Sequence, residues 1–190
     1  GFGFQVQQTA DADDHWEFQV GSDSTVWSVY RFEYPEEKAT PTSILPADIA
    51  KVSKRPKLAV IIDDFGYSMN ETITGFISLK EAFTAAVIPG RPYSTQVDER
   101  LNNRSIQTLI HMPMVTVTNS TSEPDYALSE DLSDGEIVRR LKKARKDVPR
   151  AIGMNNHQGS GGTQSRKVMT GVTGFLAEQK MFFIDSRTIA

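Results

Sequence analysis

Two histidines and a pair of adjacent aspartates are the residues of this sequence whose types best suit a catalytic metal ion. They are His111, His157, Asp63 and Asp64, and the chain has no cysteine that could serve instead. Imidazole nitrogen and carboxylate oxygen both bind Zn²⁺, and a catalytic zinc site keeps one position open for water. The histidines lie too far apart for a local metal-binding motif, so the fold would have to bring them together.

Each of these residues also has a simpler interpretation. A lone histidine at a strand end is more often a hydrogen-bonded structural residue, and Asp63-Asp64 could form a turn or cap a helix. Adjacent side chains in a strand point in different directions, so we expect one aspartate to bind the ion. The other would take a proton from bound water or balance the charge. Two buried like charges are costly without a cation, so the set as a whole favours a metal site.

Hydrophobic patterning indicates the elements that would position these residues. Continuous apolar runs predict five buried strands, as in a parallel sheet. They lie at residues 58–62, 83–88, 106–110, 151–153 and 181–184. Helices are predicted from near residue 69 and over residues 95–103, 133–148 and 164–179. Strands that alternate with helices predict an α/β fold, either a parallel sheet or a barrel, with right-handed crossovers.

Two of the predicted helices begin with a capping-box pattern, Ser68 with Glu71 and Ser133 with Glu136. The helix predicted over residues 133–148 has one apolar stripe, which consists of Ile137, Leu141, Ala144 and Val148. Its opposite face is rich in lysine and arginine, which favours a solvated surface over a cationic groove.

The polar residues of interest all follow predicted strands. They are Asp63, Asp64, His111, Asn155, Asn156, His157, Asp185 and Arg187. The carboxyl ends of parallel strands meet at one edge of the sheet, where α/β proteins build their active sites. We therefore expect these side chains to lie close together.

The chain has 190 residues and a net charge of -3, and its length allows one domain or one domain with a small appendage. Residues 1–34 show period-two alternation and predict a small β-rich unit, residues 35–56 contain four prolines and predict a linker, and residues 57–190 form the α/β domain. The weak acidity argues against a nucleic-acid partner, and no apolar run is long enough to span a membrane. The sequence stops just after the last predicted strand, which predicts a C-terminally incomplete domain.

Five ordered motifs at these strand ends resemble one protein family. They are Ile61-Ile62-Asp63-Asp64-Phe65-Gly66, Ala86-Val87-Ile88-Pro89, His111-Met112-Pro113-Met114, Asn155-Asn156-His157-Gln158-Gly159-Ser160 with Thr163, and Phe182-Phe183-Ile184-Asp185-Ser186-Arg187-Thr188. In this order the sequence resembles the divergent polysaccharide deacetylases. These are a branch of the superfamily that includes the chitooligosaccharide deacetylases of carbohydrate esterase family four.

The resemblance implies a distorted (β/α) barrel with fewer than eight strands. It also implies a divalent metal, usually zinc, held by Asp64, His111 and His157, with Asp63 as the general base. The reaction would be removal of acetyl groups from N- or O-acetylated sugars of a polysaccharide, by attack of metal-bound water. An acetylated carbohydrate partner and an extracytoplasmic, periplasmic location follow from the same resemblance.

Further roles come with the resemblance. Asp185 and Arg187 are assigned to catalysis, with Asp185 holding Arg187 or a metal ligand. Asn155, Asn156 and Ser160 are assigned to substrate binding, and the two asparagines could alternatively orient ligands.

Two departures from the family pattern stand out. The wider superfamily has two neighbouring histidines in one motif, whereas here they are on separate strands. Gly161-Gly162 stands where the branch often has a larger residue, which would open the site or loosen its loop.

Three alternatives stay open at this point. A receiver-type signalling domain also has an acidic pair after its first strand, but it needs a phosphate-accepting aspartate where this chain has His111. A non-catalytic module of the cell envelope could use the same cleft to bind glycan or protein. Metal-dependent hydrolysis of another amide or ester is the third.

Overall fold

The structure, a computed structural model, describes residues 5–12, 15–22, 25–33 and 58–187. The chain divides into two compact units, Gly1–Lys57 and Leu58–Ala190. The predicted linker at 35–56 and the last motif residue, Thr188, lie outside the described residues. In the part of the chain that is described, no helix has the length and apolarity that crossing a membrane requires.

Three antiparallel strands make up the described part of the first unit. They are β1 (Gln5–Ala12), β2 (His15–Ser22) and β3 (Thr25–Glu33), and β2 lies between the other two. The register places Val6 opposite Val20 and Phe18 opposite Tyr30. Apolar positions are therefore aligned at some pairs only, because Phe18 also lies opposite Gln8 and Val20 opposite Ser28.

The second unit is built on a parallel sheet of five strands. They are β4 (Ile61–Phe65), β5 (Thr84–Val87), β6 (Gln107–Met114), β7 (Gly153–Gln158) and β8 (Phe182–Ile184). Their spatial order is the same as their order in the chain, and every neighbouring pair is parallel. In the receiver-type fold the first strand lies between the second and third, so this order excludes the receiver alternative.

Four α-helices connect the strands within the described part of this unit. They are α1 (Glu71–Ile77), α2 (Ser94–Asn103), α3 (Asp134–Asp147) and α4 (Arg166–Gln179). The apolar stripe of α3 is buried, as predicted, and Ser133 caps this helix by accepting from the N–H of Glu136.

The predicted start of α1 is wrong. Asn70 rather than Ser68 is the N-cap, because its side chain accepts from the N–H of Ile73 at 3.0 Å. Asn70 also has the extended backbone that a cap requires, and asparagine is among the preferred N-cap residues.

The predicted strand ends are also wrong at the polar motifs. β6 continues through His111 to Met114, and β7 contains the Asn155-Asn156-His157 segment. The register pairs His111 with Asn155. Polar side chains are tolerated inside these strands because they hydrogen-bond to one another between β6 and β7, as His111 and Asn155 do.

The core lies between the sheet and its helices. Strand residues Val87, Ile110, Met112 and Met154 are fully buried, and the helices cover them with the residues Val97, Leu101, Ile137, Leu141, Val168, Val172 and Leu176. Almost all of β6 is buried, as expected for a central parallel strand covered on both faces. This packing gives the carboxyl edge of β6 and β7 a fixed position.

Candidate metal centre

A β-bulge places the two aspartates at the carboxyl end of β4. Ile62 is opposite Ala85 and Phe65 is opposite Val87, so β4 has one more residue than β5 over this stretch. Asp64 has φ +67°, a left-handed conformation that aspartate adopts more readily than most residues. Bulges of this kind redirect side chains next to functional sites.

The bulge brings both carboxylates to the same histidine ring from its two sides. Asp63 Oδ1 lies 3.8 Å from His111 Nδ1, and Asp64 Oδ1 lies 3.4 Å from His111 Nε2. The expectation that the two aspartates take different roles therefore has a geometric basis, because they face different nitrogens of one ring.

Three ligand atoms converge beside this ring. His157 Nδ1 lies 3.1 Å from His111 Nε2 and 3.2 Å from Asp64 Oδ1. Among the described residues, Asp64, His111 and His157 form a group that could hold a metal ion, and we call this group the trio. His111 is buried, whereas the Asp64 side chain is 62% exposed, so the trio is open to solvent on its carboxylate side.

The separations between these atoms suit a small tetrahedral ion. With Zn–N and Zn–O bonds of about 2.0–2.1 Å, the edges of a tetrahedron measure about 3.3 Å. The observed edges are 3.1, 3.2 and 3.4 Å. The residues present therefore fit zinc or a similar divalent ion.

The remaining nitrogen of His111 is engaged by Asn155. Asn155 Oδ1 lies 2.9 Å from His111 Nδ1, and its amide nitrogen donates to Asp63 Oδ1 at 2.9 Å and Ser186 Oγ at 3.2 Å. An amide oxygen can only accept, so Nδ1 carries the proton and Nε2 presents its lone pair to the trio. Orientation of a ligating histidine by its second nitrogen is the usual arrangement at metal sites.

Glu123 engages the remaining nitrogen of His157, with Oε2 at 3.3 Å from Nε2. Sequence reasoning missed this residue. It lies in the polar loop between β6 and α3, where nothing in the local pattern distinguishes it from the exposed acids around it. Its burial alone reveals it, because the Glu123 side chain is only 2% exposed.

The protonation states favour a cation. A hydrogen bond from a donor at His111 Nε2 holds the pKa of Asp64 below its ordinary value, against an opposing effect of burial, and a metal ion bound there would take the place of that donor. Burial lowers the pKa of His157, and the neighbouring His111 lowers it further. Asp64 is thus ionised and His157 neutral near pH 7, which are the states that metal ligands require.

The other predicted site residues of β7 and its loop make internal hydrogen bonds. Asn156 donates to the carbonyl of Gln158 at 2.8 Å and accepts from the N–H of Ser186 at 2.8 Å. Ser160 Oγ accepts from the N–H of Val117 at 3.1 Å. Asn156 is buried, whereas Ser160 is partly exposed.

Asp185 and Arg187 are exposed at the carboxyl end of β8. The Asp185 carboxylate accepts from the backbone N–H of Arg187 at 2.8 Å, so it shapes the turn rather than pairing with the guanidinium. Among the described residues, neither side chain forms an ion pair with the trio.

Gly161-Gly162 tightens its loop rather than loosening it. Both N–H groups donate to the carbonyl of Val115 at 3.0 Å. A Cβ on Gly161 would lie 2.4 Å from the carbonyl oxygen of Thr116, and one on Gly162 would lie 2.7 Å from Met114 Cβ. Glycine is needed here because the loop packs directly against the end of β6.

Two curated relatives match the second unit. An uncharacterized protein of Haemophilus influenzae is 38% identical over 133 residues, which cover 70% of this chain and 47% of that protein. The uncharacterized protein YibQ of Escherichia coli (strain K12) is 34% identical over 133 residues, which cover 70% of this chain and 41% of that protein. The chain thus spans less than half the length of these relatives.

A solved structure shares the fold. The crystal structure of the uncharacterized protein ATU2773 from Agrobacterium tumefaciens C58 superposes with a TM-score of 0.61 at 15% identity, over 70% of this chain and 54% of that one. At this identity the likeness shows the fold alone.

The family follows from the sequence model that matches the chain. The model of the family described as divergent polysaccharide deacetylase covers residues 60–190, which include every motif at the carboxyl edge of the sheet. The chain therefore belongs to the divergent polysaccharide deacetylase family.

Proposed function

We propose that this protein is a metal-dependent hydrolase that removes acetyl groups from N- or O-acetylated sugars of a polysaccharide. One observation carries the proposal. Asp64, His111 and His157 direct three lone pairs to one point, and the second nitrogen of each ring faces an acceptor, Asn155 or Glu123. Lone pairs held this close repel one another unless a cation lies between them.

Asp64 Oδ1, His111 Nε2 and His157 Nδ1 would hold the ion, and imidazole with carboxylate favours zinc. When bound, such an ion lowers the pKa of water and polarises an acyl carbonyl. Asp63 is the general base. Its Oδ1 accepts from the Asn155 amide, which holds in place the carboxylate that would take the proton from the attacking water.

The surrounding residues position these groups and the sugar. Asn155 orients both His111 and Asp63, and Asn156 holds the loop after β8 through Ser186. Asp185 shapes the turn that presents Arg187, whose exposed guanidinium would contact the substrate at the same edge. Ser160 accepts from the N–H of Val117, and its partly exposed side chain would contact the sugar.

The polysaccharide substrates of the family favour an extracytoplasmic, periplasmic location. Family membership supports a carbohydrate ligand, and the exposed Asp64 side of the trio leaves the site open to one. This chain spans less than half the length of its relatives. The activity of a whole protein of that length therefore belongs to the proposal as well.

Acetate release tests the proposal. The protein, loaded with one equivalent of zinc, is incubated with N-acetylglucosamine oligomers and with O-acetylated xylo-oligosaccharides, and free acetate is measured. We expect acetate from at least one substrate and release at least about 100-fold slower from Asp63→Asn. Stoichiometric metal without acetate from any acetylated glycan would instead favour a non-catalytic glycan- or protein-binding module.

A further inference from the structure

Glu123 is a buried carboxylate whose position is fixed by its own backbone. The loop between β6 and α3 turns at this residue, because the carbonyl of Glu123 accepts from the N–H groups of Tyr126 and Ala127 at 3.0 and 2.8 Å. The N–H of Glu123 donates to Thr121 Oγ1 at 3.1 Å. Leu128 then pairs with Met114, which ties this turn to the end of β6.

The two oxygens of Glu123 face different partners. Oε1 accepts from the Tyr67 hydroxyl at 2.7 Å and from the Arg91 guanidinium, which also lies over the Tyr67 ring. Oε2 is buried, forms no hydrogen bond among the described residues, and lies 3.3 Å from His157 Nε2. A buried carboxylate oxygen is costly unless a donor faces it.

His157 Nε2 is near enough to donate to this oxygen if it carries the ring proton, and that has a consequence for the other ring nitrogen. A neutral imidazole carries one proton, so a protonated Nε2 leaves Nδ1 with a free lone pair. Nδ1 is the nitrogen that lies 3.2 Å from Asp64 Oδ1 and 3.1 Å from His111 Nε2. Glu123 therefore favours the tautomer that can bind an ion.

We propose that Glu123, held by Tyr67 and Arg91, is the positioning residue that keeps His157 in its Nε2–H tautomer with Nδ1 directed at the metal centre. The proposal rests on the metal site of the proposed function, and it is independent of the substrate. It also gives Tyr67 and Arg91 a role in the site, although neither touches the trio.

The test is the isosteric variant Glu123→Gln. Tyr67 and Arg91 both donate to the Oε1 position, so the amide oxygen is expected there and the amide NH₂ would face His157 Nε2. An NH₂ group cannot accept, so the variant favours the Nδ1–H tautomer, which cannot bind the ion. We expect about 10- to 100-fold weaker zinc affinity, measured by competition with a chromophoric chelator. The exposed Glu99→Gln variant is the matched control and should bind zinc like the wild type.

A second readout reports the tautomer itself. Nitrogen NMR of ¹⁵N-histidine-labelled protein distinguishes a protonated from an unprotonated ring nitrogen. Both proteins are measured without metal. We expect His157 to be protonated at Nε2 in the wild type and to shift towards the Nδ1–H tautomer in Glu123→Gln.

Wild-type zinc affinity in the variant, or an Nδ1–H tautomer in the wild type, would overturn the proposal. If the variant does not fold, the wild-type spectrum decides alone. The wild type could bind zinc tightly and carry the His157 proton at Nε2, yet release no acetate. That result would refute the deacetylase function and leave this role of Glu123 intact.

Discussion

His111 and Asn155 face each other across β6 and β7, and their side chains meet with Nδ1 at 2.9 Å from Oδ1. Through its amide nitrogen, Asn155 also holds Asp63. One buried side chain thus links a candidate metal ligand to the candidate base. Under the proposed mechanism, both metal binding and proton transfer should therefore depend on Asn155.

Asn155→Ala should weaken zinc binding by about 10- to 100-fold, because His111 loses the partner that orients its ring. It should also lower kcat at saturating zinc, because Asp63 loses its donor. Zinc titration and steady-state kinetics check the two effects. A change confined to KM would instead assign Asn155 to substrate binding.

Asp63 and Asp64 should respond differently to the same substitution. Asp63→Asn should keep zinc and lose about 10²- to 10⁴-fold in kcat, as expected for a general base. Asp64→Asn should lose tight zinc binding, because its Oδ1 is one of the three converging atoms. Metal analysis beside acetate release separates them. Loss of metal in Asp63→Asn with retention in Asp64→Asn would reverse the two roles.

Two glycines of α4 should respond in opposite directions to alanine. A Cβ on Gly171 would lie 2.7 Å from Ile137 Cγ2, where α4 packs against α3, whereas nothing lies within 4 Å at Gly174. Gly171→Ala should lower the free energy of unfolding by about 1–3 kcal/mol through overpacking. Gly174→Ala should raise it by about 0.4–1 kcal/mol by restricting the unfolded chain. Urea denaturation measures both, and equal effects would contradict the close helix contact at Gly171.

Glu136, in the N-terminal turn of α3, should make the free energy of unfolding fall as the pH is lowered. Arg139 and Arg140 hydrogen-bond to Glu136 and lower its pKa from 4.5 to about 2. A lowered folded-state pKa means that the contribution of Glu136 is present above pH 4.5 and is lost as the pH falls towards 2. The stability difference between the wild type and Glu136→Gln should therefore shrink over that range. A stability difference that stays constant between pH 4.5 and 2 would contradict this role of Glu136.

The proximity of the trio could be predicted from the sequence because strands that alternate with helices along the chain run parallel, so that their carboxyl ends meet at one edge of the sheet. Apolar runs followed by Asp64, His111 and His157 place all three at the carboxyl edge of a parallel sheet. The lengths of the strands were less predictable. Polar residues in β6 and β7 continue the sheet because they pair with each other, and that pairing is not visible in either segment alone.

The remaining features depend on contacts between distant residues. The bulge at Asp63-Asp64 is a mismatch between β4 and β5, so it has no signature in β4 by itself. Glu123 is buried because Tyr67 and Arg91, from other loops, surround it. A single acid in a polar loop carries no pattern that would distinguish it from a solvated one.

The metal content of the purified protein tests the central claim most directly. Elemental analysis of the wild type, after reconstitution and removal of excess ion, should give about one equivalent of zinc or a similar divalent ion. His111→Ala and His157→Ala should each lose it, because three converging ligands are reduced to two. A wild-type protein that retains no metal, or a His111→Ala protein that retains a full equivalent, would contradict the account.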